Sequence, residues 1–575
     1  MKHPAENKTL LWLWKAAGQQ KWRIGLLMLL QLLLGASSIL FALLLSAAVD
    51  SAVEQVYANF LKNIGALTAV VLFQLAARAC KRYLDERIRS GLENSMKKQL
   101  FSTLLVKDYA CVTAVHSGEW LNRLTSDTTV VADGMVTIAP DVLEMLVKLL
   151  GALAAILVLI PQLGWVLLPG GILLLLVSYL FRRVLKKLHK DIRETDGKTR
   201  ILLSERISAL MVIRSFGKEV QSIWDVETQM QQHHRARLRR NRFSNFCNIG
   251  FGTVMNGLYL AGVGCCGYGI LTGSMSYGTF TAVLQLIGHV QQPFANITGY
   301  LPKFYAMLAS AERLMEAEQL PGGDADRLQT PGQMRRFYTE RFSAAGLDGV
   351  SFTYQPPANG EKPEMPLVLK NITMYLQKGE FVAVTGDSGC GKTTLLKLLM
   401  NLYRPDAGHC WLRAIDGEKC PMDSSFTRLF AYVPQGNCLM CGSIRQILTF
   451  SDRERMYDDD ALYRALEIAC AAEFVRKLPA GLDTQLGERG AGLSEGQLQR
   501  LAIARAVFSE NPILVLDEAT SALDEAAERK LLGNLRAMTD RTVLIVTHRP
   551  AALELCDRQL HLTRSGMEEI VSGKK

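Results

Sequence analysis

Nine consecutive residues, Gly386 to Thr394, read GDSGCGKTT and carry the clearest chemistry in the chain. They follow the apolar run Phe381 to Thr385 and precede Leu395 to Met400, the order of a strand, a Gly-rich turn and a helix. In such a turn Gly386, Gly389 and Gly391 let backbone N–H groups close on phosphate oxygens, and the helix N-terminus adds positive potential. Asp387, Ser388, Cys390 and Thr394 complete the loop. Lys392 would neutralise oxygens between two phosphates, and Thr393 would hold Mg2+ through its hydroxyl, so ATP with Mg2+ is the expected ligand. A second apolar strand pattern, Ile513 to Leu516, ends in Asp517 and Glu518. Two carboxylates at the end of a buried strand are costly unless they are used. Asp517 is placed to hold the metal's water shell and Glu518 to polarise an attacking water.

These carboxylates fall within the stretch LSEGQLQRLAIARAVFSENPILVLDEATSALDE, Leu493 to Glu525. Its Ser494 and Gln497 fit a helix-starting capping box. The segment resembles the signature loop of the ATP-binding cassette family, and further family elements follow at family spacing. The resemblance implies that Tyr354 stacks on adenine and that Ser494, Gly496 and Gln497 face the nucleotide. Gln435, in YVPQGN, matches the glutamine that reaches the metal and links the nucleotide site to the membrane domain. Ser521 to Asp524 match the loop that crosses a dimer interface, and His548 matches the histidine that senses the γ-phosphate. On this footing Glu518, His548, Lys392 and Gln435 form the catalytic set, and Thr393, Gln435 and Asp517 the metal set. Two departures stand out: Glu495 replaces the usual first glycine of the signature, and Cys390 places a thiol inside the phosphate loop.

The elements that must carry this motor lie in the N-terminal half. The chain has 575 residues, 49% hydrophobic and 21% charged, which allows two or more domains with one in a membrane. Six apolar runs, Trp22 to Val49, Phe60 to Arg78, Asp141 to Ile160, Leu163 to Leu180, Ser244 to Leu271 and Tyr277 to Tyr300, approach the ~20 residues that a spanning helix needs. Lys and Arg crowd the segments after the second and fourth runs, from Arg78 to Lys98 and from Arg182 to Arg240. The positive-inside rule therefore puts both termini and both long loops in the cytoplasm. Topology thus accounts for most of the excess of 65 basic over 55 acidic residues, and no folded nucleic-acid module accompanies it. A bacterial plasma membrane is expected, since no transit or retention signal is evident.

The long loops read as helices continued into the cytoplasm. At their turning points, Gly118 to Asp133 and Glu205 to Glu219 are similar to the coupling-helix regions of the family's exporter branch. The expected fold is an α-helical six-span transmembrane domain fused to an α/β P-loop NTPase nucleotide-binding domain. Residues 1–20 would form an amphipathic elbow, 21–318 the membrane domain, 319–345 a linker broken by LPGGDADRLQTPGQ, and 346–575 the ATPase. Six spans with one cassette make half a machine, so the resemblance implies a second half-transporter, identical or paralogous. It also implies export of a small-molecule, lipid or peptide cargo. An ATP-gated channel or regulator and a lipid flippase are the alternatives.

Polar residues within the spans bear on the cargo. Gln285, His289, Gln292 and Asn296 share one helical face, suited to helix–helix hydrogen bonds or to substrate. Glu144 and Lys148 are spaced to pair on one turn, as a structural pair or a polar-substrate site. The 12 cysteines form no disulfide framework. Cys438 and Cys441 make a Cys-x-x-Cys, but without a second close pair zinc is not expected.

Overall fold

The computed structural model describes residues 4–161, 184, 187–188, 190–322, 330–354, 366–436, 439–487, 492–563 and 566–570. They form two compact units, one of Met1–Lys98 with Arg123–Met315 and one of Gln99–Asn122 with Glu316–Lys575.

The first unit is helical. Four stretches, Gly18–Val53, Tyr57–Val106, Ser117–Leu159 and Glu219–Leu271, are long and apolar enough to cross a membrane. The sixth expected span lies in the helix Tyr277–Gln319, and the fourth, 163–180, falls outside the described residues. Helices of 50 and 53 residues extend about 75–80 Å at 1.5 Å per residue, far beyond a ~30 Å bilayer core, as their charged ends require.

Small residues let these helices approach. A Cβ on Gly35 would meet Val147 Cγ1 at 3.0 Å, and one on Gly151 would meet Ile39 Cδ1 at 2.1 Å. Without a hydrophobic drive between helices in lipid, such close backbone contact is what holds them. A buried cluster of Ala42, Ala152, Ile156, Cys266, Val283 and Leu286 joins helices Lys21–Val53, Thr128–Leu159, Glu219–Leu271 and Tyr277–Gln319. Asp50 accepts from Gly278 N at 2.7 Å and from Ser276 Oγ at 2.8 Å, satisfying the start of the last helix. Where Asp127 ends a π-helical turn, Arg123–Asp127, it takes a two-pronged ion pair from Arg313 and a hydrogen bond from Ser310.

The second unit is α/β. A sheet of order β2-β1-β4-β5 is built from β1 (Phe342–Phe352), β2 (Leu369–Gln377), β4 (Ala407–Ala414) and β5 (Lys419–Pro421). A second, of order β12-β11-β3-β10-β9-β6, contains β3 (Phe381–Thr385), β6 (Phe430–Val433), β9 (Ile513–Asp517), β10 (Thr542–Val546), β11 (Arg558–Leu562) and β12 (Met567–Ile570). In β3, β9 and β10 every residue is buried, which explains their unbroken apolar runs. All pairings in this sheet are parallel except that of β11 with β12, and a separate antiparallel pair joins β7 (Gly442–Ser443) to β8 (Gln485–Leu486). β10 therefore pairs with β3 on one side and β9 on the other, and the ends of all three open on one edge.

Two boundaries differ from the sequence reading. The expected linker holds a helix, Pro331–Glu340, started by a Thr330/Gln333 capping box with proline in its first turn. Its Met334 and Tyr338 are buried, and Tyr338 OH lies 2.9 Å from Thr542 Oγ1. β1 then begins at Phe342, ahead of the expected Gly346, because Phe342, Ala344 and Ala345 are all core residues.

The two segments read as coupling regions fold as follows. A short helix, Tyr109–Thr113, lies within the ATPase unit; it is capped by Asp108, which accepts from Ala110 N and Cys111 N. Ala110 packs on the core, and Tyr109 lies 5.8 Å from Tyr403 between ring centroids. The Gly118–Asp133 segment holds most of the helix Ser117–Asn122, the π turn and the start of a spanning helix. An aspartate is a favoured N-cap, and Asp108 sets the start of Tyr109–Thr113. The second region, Glu205–Glu219, contains the helix Leu210–Ser215. Its Met211 is 85% exposed and the adjoining Phe216 74%.

Candidate nucleotide site

The loop after β3 turns through three glycines of positive φ, Gly386 at 146°, Gly389 at 78° and Gly391 at 103°. A Cβ at Gly386 would meet Leu562 O at 2.3 Å and one at Gly391 would meet Leu369 Cδ2 at 2.8 Å, so both are held by space as well as by backbone. At Gly389 a Cβ would meet nothing within 4 Å. That open position suits close approach of a phosphate to main-chain N–H groups.

Lys392, 8% exposed at the start of the helix Lys392–Leu399, sends its ammonium back into the loop. Nζ donates to Gly386 O at 2.6 Å and Asp387 O at 3.1 Å, and lies 3.0 Å from His548 Nε2. His548 follows β10, so the pairing of β10 with β3 brings the two together. Thr393 Oγ1 donates to Asp517 Oδ2 at 2.9 Å, and Tyr432 OH donates to the same oxygen at 3.1 Å. Burial pushes the Asp517 carboxyl above its ordinary pKa; Thr393 and Tyr432 oppose the rise, and Glu518 adds to it. A hydroxyl and a buried carboxylate form a hard oxygen donor set that fits Mg2+.

Glu518 has φ of 51°, and Gln435 Nε2 donates to its Oε2 at 2.8 Å. A non-glycine residue held in the left-handed region stores strain of about 1–3 kcal/mol. Its amide donates to Val546 O, so the ladder with β10 fixes that conformation. Tyr354 OH lies 2.8 Å from Thr394 Oγ1, with its ring edge-on to Phe352 and Tyr403. Cys390 is 4% exposed and packs in the core beneath the loop.

Two family profiles cover most of the chain: "ABC transporter transmembrane region" over residues 24–294 and "ABC transporter" over residues 369–521. The chain belongs to the ABC transporters. Its order of domains is that of an ABC exporter half-transporter with fused membrane and ATPase parts. It is 29% identical over 483 residues to mouse "Antigen peptide transporter 2", matching 84% of this chain and 66% of that one. Against "ATP-dependent lipid A-core flippase" of Pasteurella multocida it is 27% identical, over 92% of this chain and 88% of that protein. The fold matches "Structure of a bacterial Atm1-family ABC exporter with ATP bound" with TM-score 0.79 and 20% identity, over 96% of this chain and 95% of that one.

The remaining ABC motifs stand apart from the phosphate loop. Ser494 caps the helix Glu495–Phe508, and Ser494 and Gln497 answer each other's main-chain N–H groups. A Cβ on Gly496 would meet Ala522 O at 2.9 Å, so the signature turn lies against the loop that ends in Asp524. Asp524 caps the next helix, Glu525–Arg536. Ser494, Glu495 and Asp524 are exposed.

Several functional candidates escaped the sequence reading. Tyr432 is one; it sits three residues before Gln435 and bonds Asp517 across strands. Gln499, 2% exposed, donates to Ser521 Oγ and accepts from Ala522 N. Arg549 donates to Ser521 O, Leu523 O and Glu528 Oε2, clamping the same loop beside His548. Their signal was faint: Gln499 is a polar residue on the buried face of a helix, and Arg549 merely follows a motif residue.

Among the described residues no cluster of His, Cys, Asp and Glu suits another metal, and every cysteine is a free thiol. Cys438 lies outside the described residues. In the membrane unit Glu144 and Lys148 pair at 2.6 Å. Gln292 lines a cavity with them, while among the described residues Gln285 Oε1 and His289 Nε2 are buried without partners. The Asn296 side chain lies outside the described ones.

Proposed function

We propose that this ABC transporter hydrolyses ATP at Glu518 and uses the closure of two cassettes to export an amphipathic compound. The observation that carries the reading is the convergence of Lys392, His548, Thr393, Asp517 and Glu518 on one sheet edge, with Glu518 held by Gln435 in a strained backbone. Mg2+ bound by Thr393, Asp517 and Gln435 would neutralise charge on the phosphates. Lys392 stabilises the γ-phosphate oxygens, Glu518 orients the attacking water, and His548 reads the γ-phosphate through its contact with Lys392. Tyr354 stacks on adenine.

ATP would complete its site with Ser494, Gly496 and Gln497 of a second chain. The exposure of Ser494 and Asp524, and of the apolar tip around Leu210–Ser215, supports such a partner, because a cytoplasmic loop ending in Met211 and Phe216 needs cover. The partner is a second copy or a paralogous half-transporter. The membrane is a bacterial plasma membrane with the cassettes in the cytoplasm. Relatives named for a peptide and for a lipid support a cargo of one of those classes.

The test is ATP hydrolysis by the purified chain in lipid nanodiscs, wild type against Glu518→Gln, with the particle mass. A dimer that turns over, with the variant slowed at least ~100-fold, supports a homodimeric pump. A monomer without activity points to a missing paralogue, and equal turnover in the variant overturns the role of Glu518.

A further inference from the structure

Halfway along the helix Thr128–Leu159, four charged groups meet in a cavity of about 200 Å³ lined by Lys81, Asp141, Glu144, Lys148, Gln292 and Tyr300. The two ion pairs there differ in kind. Asp141 is fully engaged: Oδ1 accepts from Lys81 Nζ at 2.9 Å and Gln31 Nε2 at 2.8 Å, and Oδ2 from Tyr300 OH at 3.1 Å. Those donors come from three other helices, so Asp141 ties the bundle together. Glu144 and Lys148 are both on one helix, at i and i+4, and among the described residues each is the other's partner.

A pair within one helix adds no contact between helices. On a solvated surface it contributes ~0.3–0.5 kcal/mol, and taking both charges out of water costs far more than that. These side chains are only 22% and 15% exposed, so helix packing alone gives no reason for them. Polar capacity nearby is also unspent, since among the described residues His289 Nε2 and Gln285 Oε1 are buried without partners on the helix that carries Gln292.

We propose that the Glu144–Lys148 pair opens to receive a zwitterionic group of the cargo: a primary ammonium, and a carboxylate or phosphate, on one molecule. This rests on the export reading above. Lys148 takes the anion and Glu144 the ammonium, with Gln292 and Tyr300 beside them. The exchange moves no net charge into the low-dielectric cavity. A ligand of single charge leaves either Glu144 or Lys148 unanswered and binds poorly for that reason. Peptide termini and an ethanolamine phospholipid headgroup share the required chemistry.

The test is equilibrium binding to the full chain in phosphatidylglycerol nanodiscs without nucleotide, with empty nanodiscs subtracted. The probes are the peptide Leu-Trp-Leu with free termini, its N-acetyl, C-amide and doubly blocked forms, and lysophosphatidylethanolamine against lysophosphatidylglycerol. At least one zwitterionic probe is expected to bind ~10-fold or more tightly than its singly charged counterparts, and which one does so identifies the source. The double variant Glu144→Gln with Lys148→Gln loses that preference; the exchanged pair Glu144→Lys with Lys148→Glu keeps it, which separates charge reading from misfolding. Equal binding of all forms, or binding of none, overturns the proposal. ATP hydrolysis is read separately on the same samples. An idle cassette with the preference intact removes the pump and leaves the site, and the converse leaves the pump and removes the site.

Discussion

In the catalytic corner of the ATPase unit every buried charge has an answer, whereas among the described residues of the membrane unit several buried polar atoms have none. Lys392 is met by two carbonyls and a histidine, Asp517 by two hydroxyls, and Glu528 by Thr520 and Arg549. Among the described residues Gln31 Oε1, Gln285 Oε1 and His289 Nε2 are left over in the membrane unit, whereas the atoms left over in the ATPase unit, Arg413 Nε, Thr484 Oγ1 and Arg541 Nη1, belong to none of the catalytic residues. In the membrane unit Val158 at 81% and Leu271 at 88% exposure show side chains whose natural surroundings are lipid or a second chain. An α/β domain closes its own core and builds a site within it. A half-bundle in a membrane is completed by what it will meet, so its unanswered groups say more about partner and cargo than its answered ones.

Asp517 offers the sharpest way to break this comparison. Its carboxyl is raised mainly by burial, so the folded state holds the proton more tightly than the unfolded chain does. The sign follows: stability is lost as pH rises from the unfolded value through the folded one, and the deficit is complete at neutral pH. Asp517→Asn is therefore expected to lower ATP turnover ~1000-fold, the several kcal/mol that a metal's charge supplies. It should also raise the thermal midpoint of the nucleotide-free protein by ~2 °C or more at neutral pH. The gain should shrink as the medium is acidified. A variant less stable than wild type at every pH would show that the buried carboxylate is structural.

The corresponding node of the membrane unit, Asp127 with Arg313, should behave in the opposite sense. Removing one partner of a buried pair costs ~3–5 kcal/mol when the other charge stays buried. Arg313 is 42% exposed and can turn to water, so Asp127→Ala is expected to cost about 2 kcal/mol. A thermal shift in detergent measures it, and an unchanged midpoint would mean that the π turn holds without its pair.

Cys390 comes next in size. The thiol is buried beneath the loop, so maleimide labelling should be slow, slower still with ATP, and should block turnover at least ~10-fold because the loop cannot close over an added group. Full activity after stoichiometric labelling of Cys390 would refute this.

What could be read from the sequence follows the same division. The phosphate loop was legible because its glycines, Lys392 and Thr393 are neighbours in the chain, and local spacing alone specifies a cradle. Asp517 and Glu518 were legible because carboxylates interrupt an apolar strand. Tyr432, Gln499 and Arg549 were not, since each acts on a residue more than twenty positions away that only strand and helix packing brings near. The helix at Pro331 was missed although Thr330, Pro331 and Gln333 mark a helix start, because the Gly- and Pro-rich stretch before it reads as a break. The polar stripe from Gln285 to Gln292 was visible as a face, but the four-helix junction at Asp141 was not, for periodicity fixes a face and leaves its neighbours open.

The smallest expected effect tests whether contacts invisible to sequence matter at all. Tyr432→Phe removes one hydroxyl from Asp517 Oδ2 and leaves the ring in place, while Thr393 still donates to that oxygen. A hydrogen bond to a charged group contributes about 1.5–3 kcal/mol at most, and the remaining donor together with Mg2+ should absorb part of the loss. Turnover is expected to fall ~3- to 10-fold, chiefly as a higher Mg2+ requirement, because the phenol's role is to hold the carboxylate where the metal needs it. Titrating Mg2+ at saturating ATP separates the cases. If excess Mg2+ restores the wild-type rate, Tyr432 positions Asp517. A lower rate at every Mg2+ concentration would mean that the phenol acts in the reaction itself, and that the catalytic corner extends one strand beyond the residues its motifs mark.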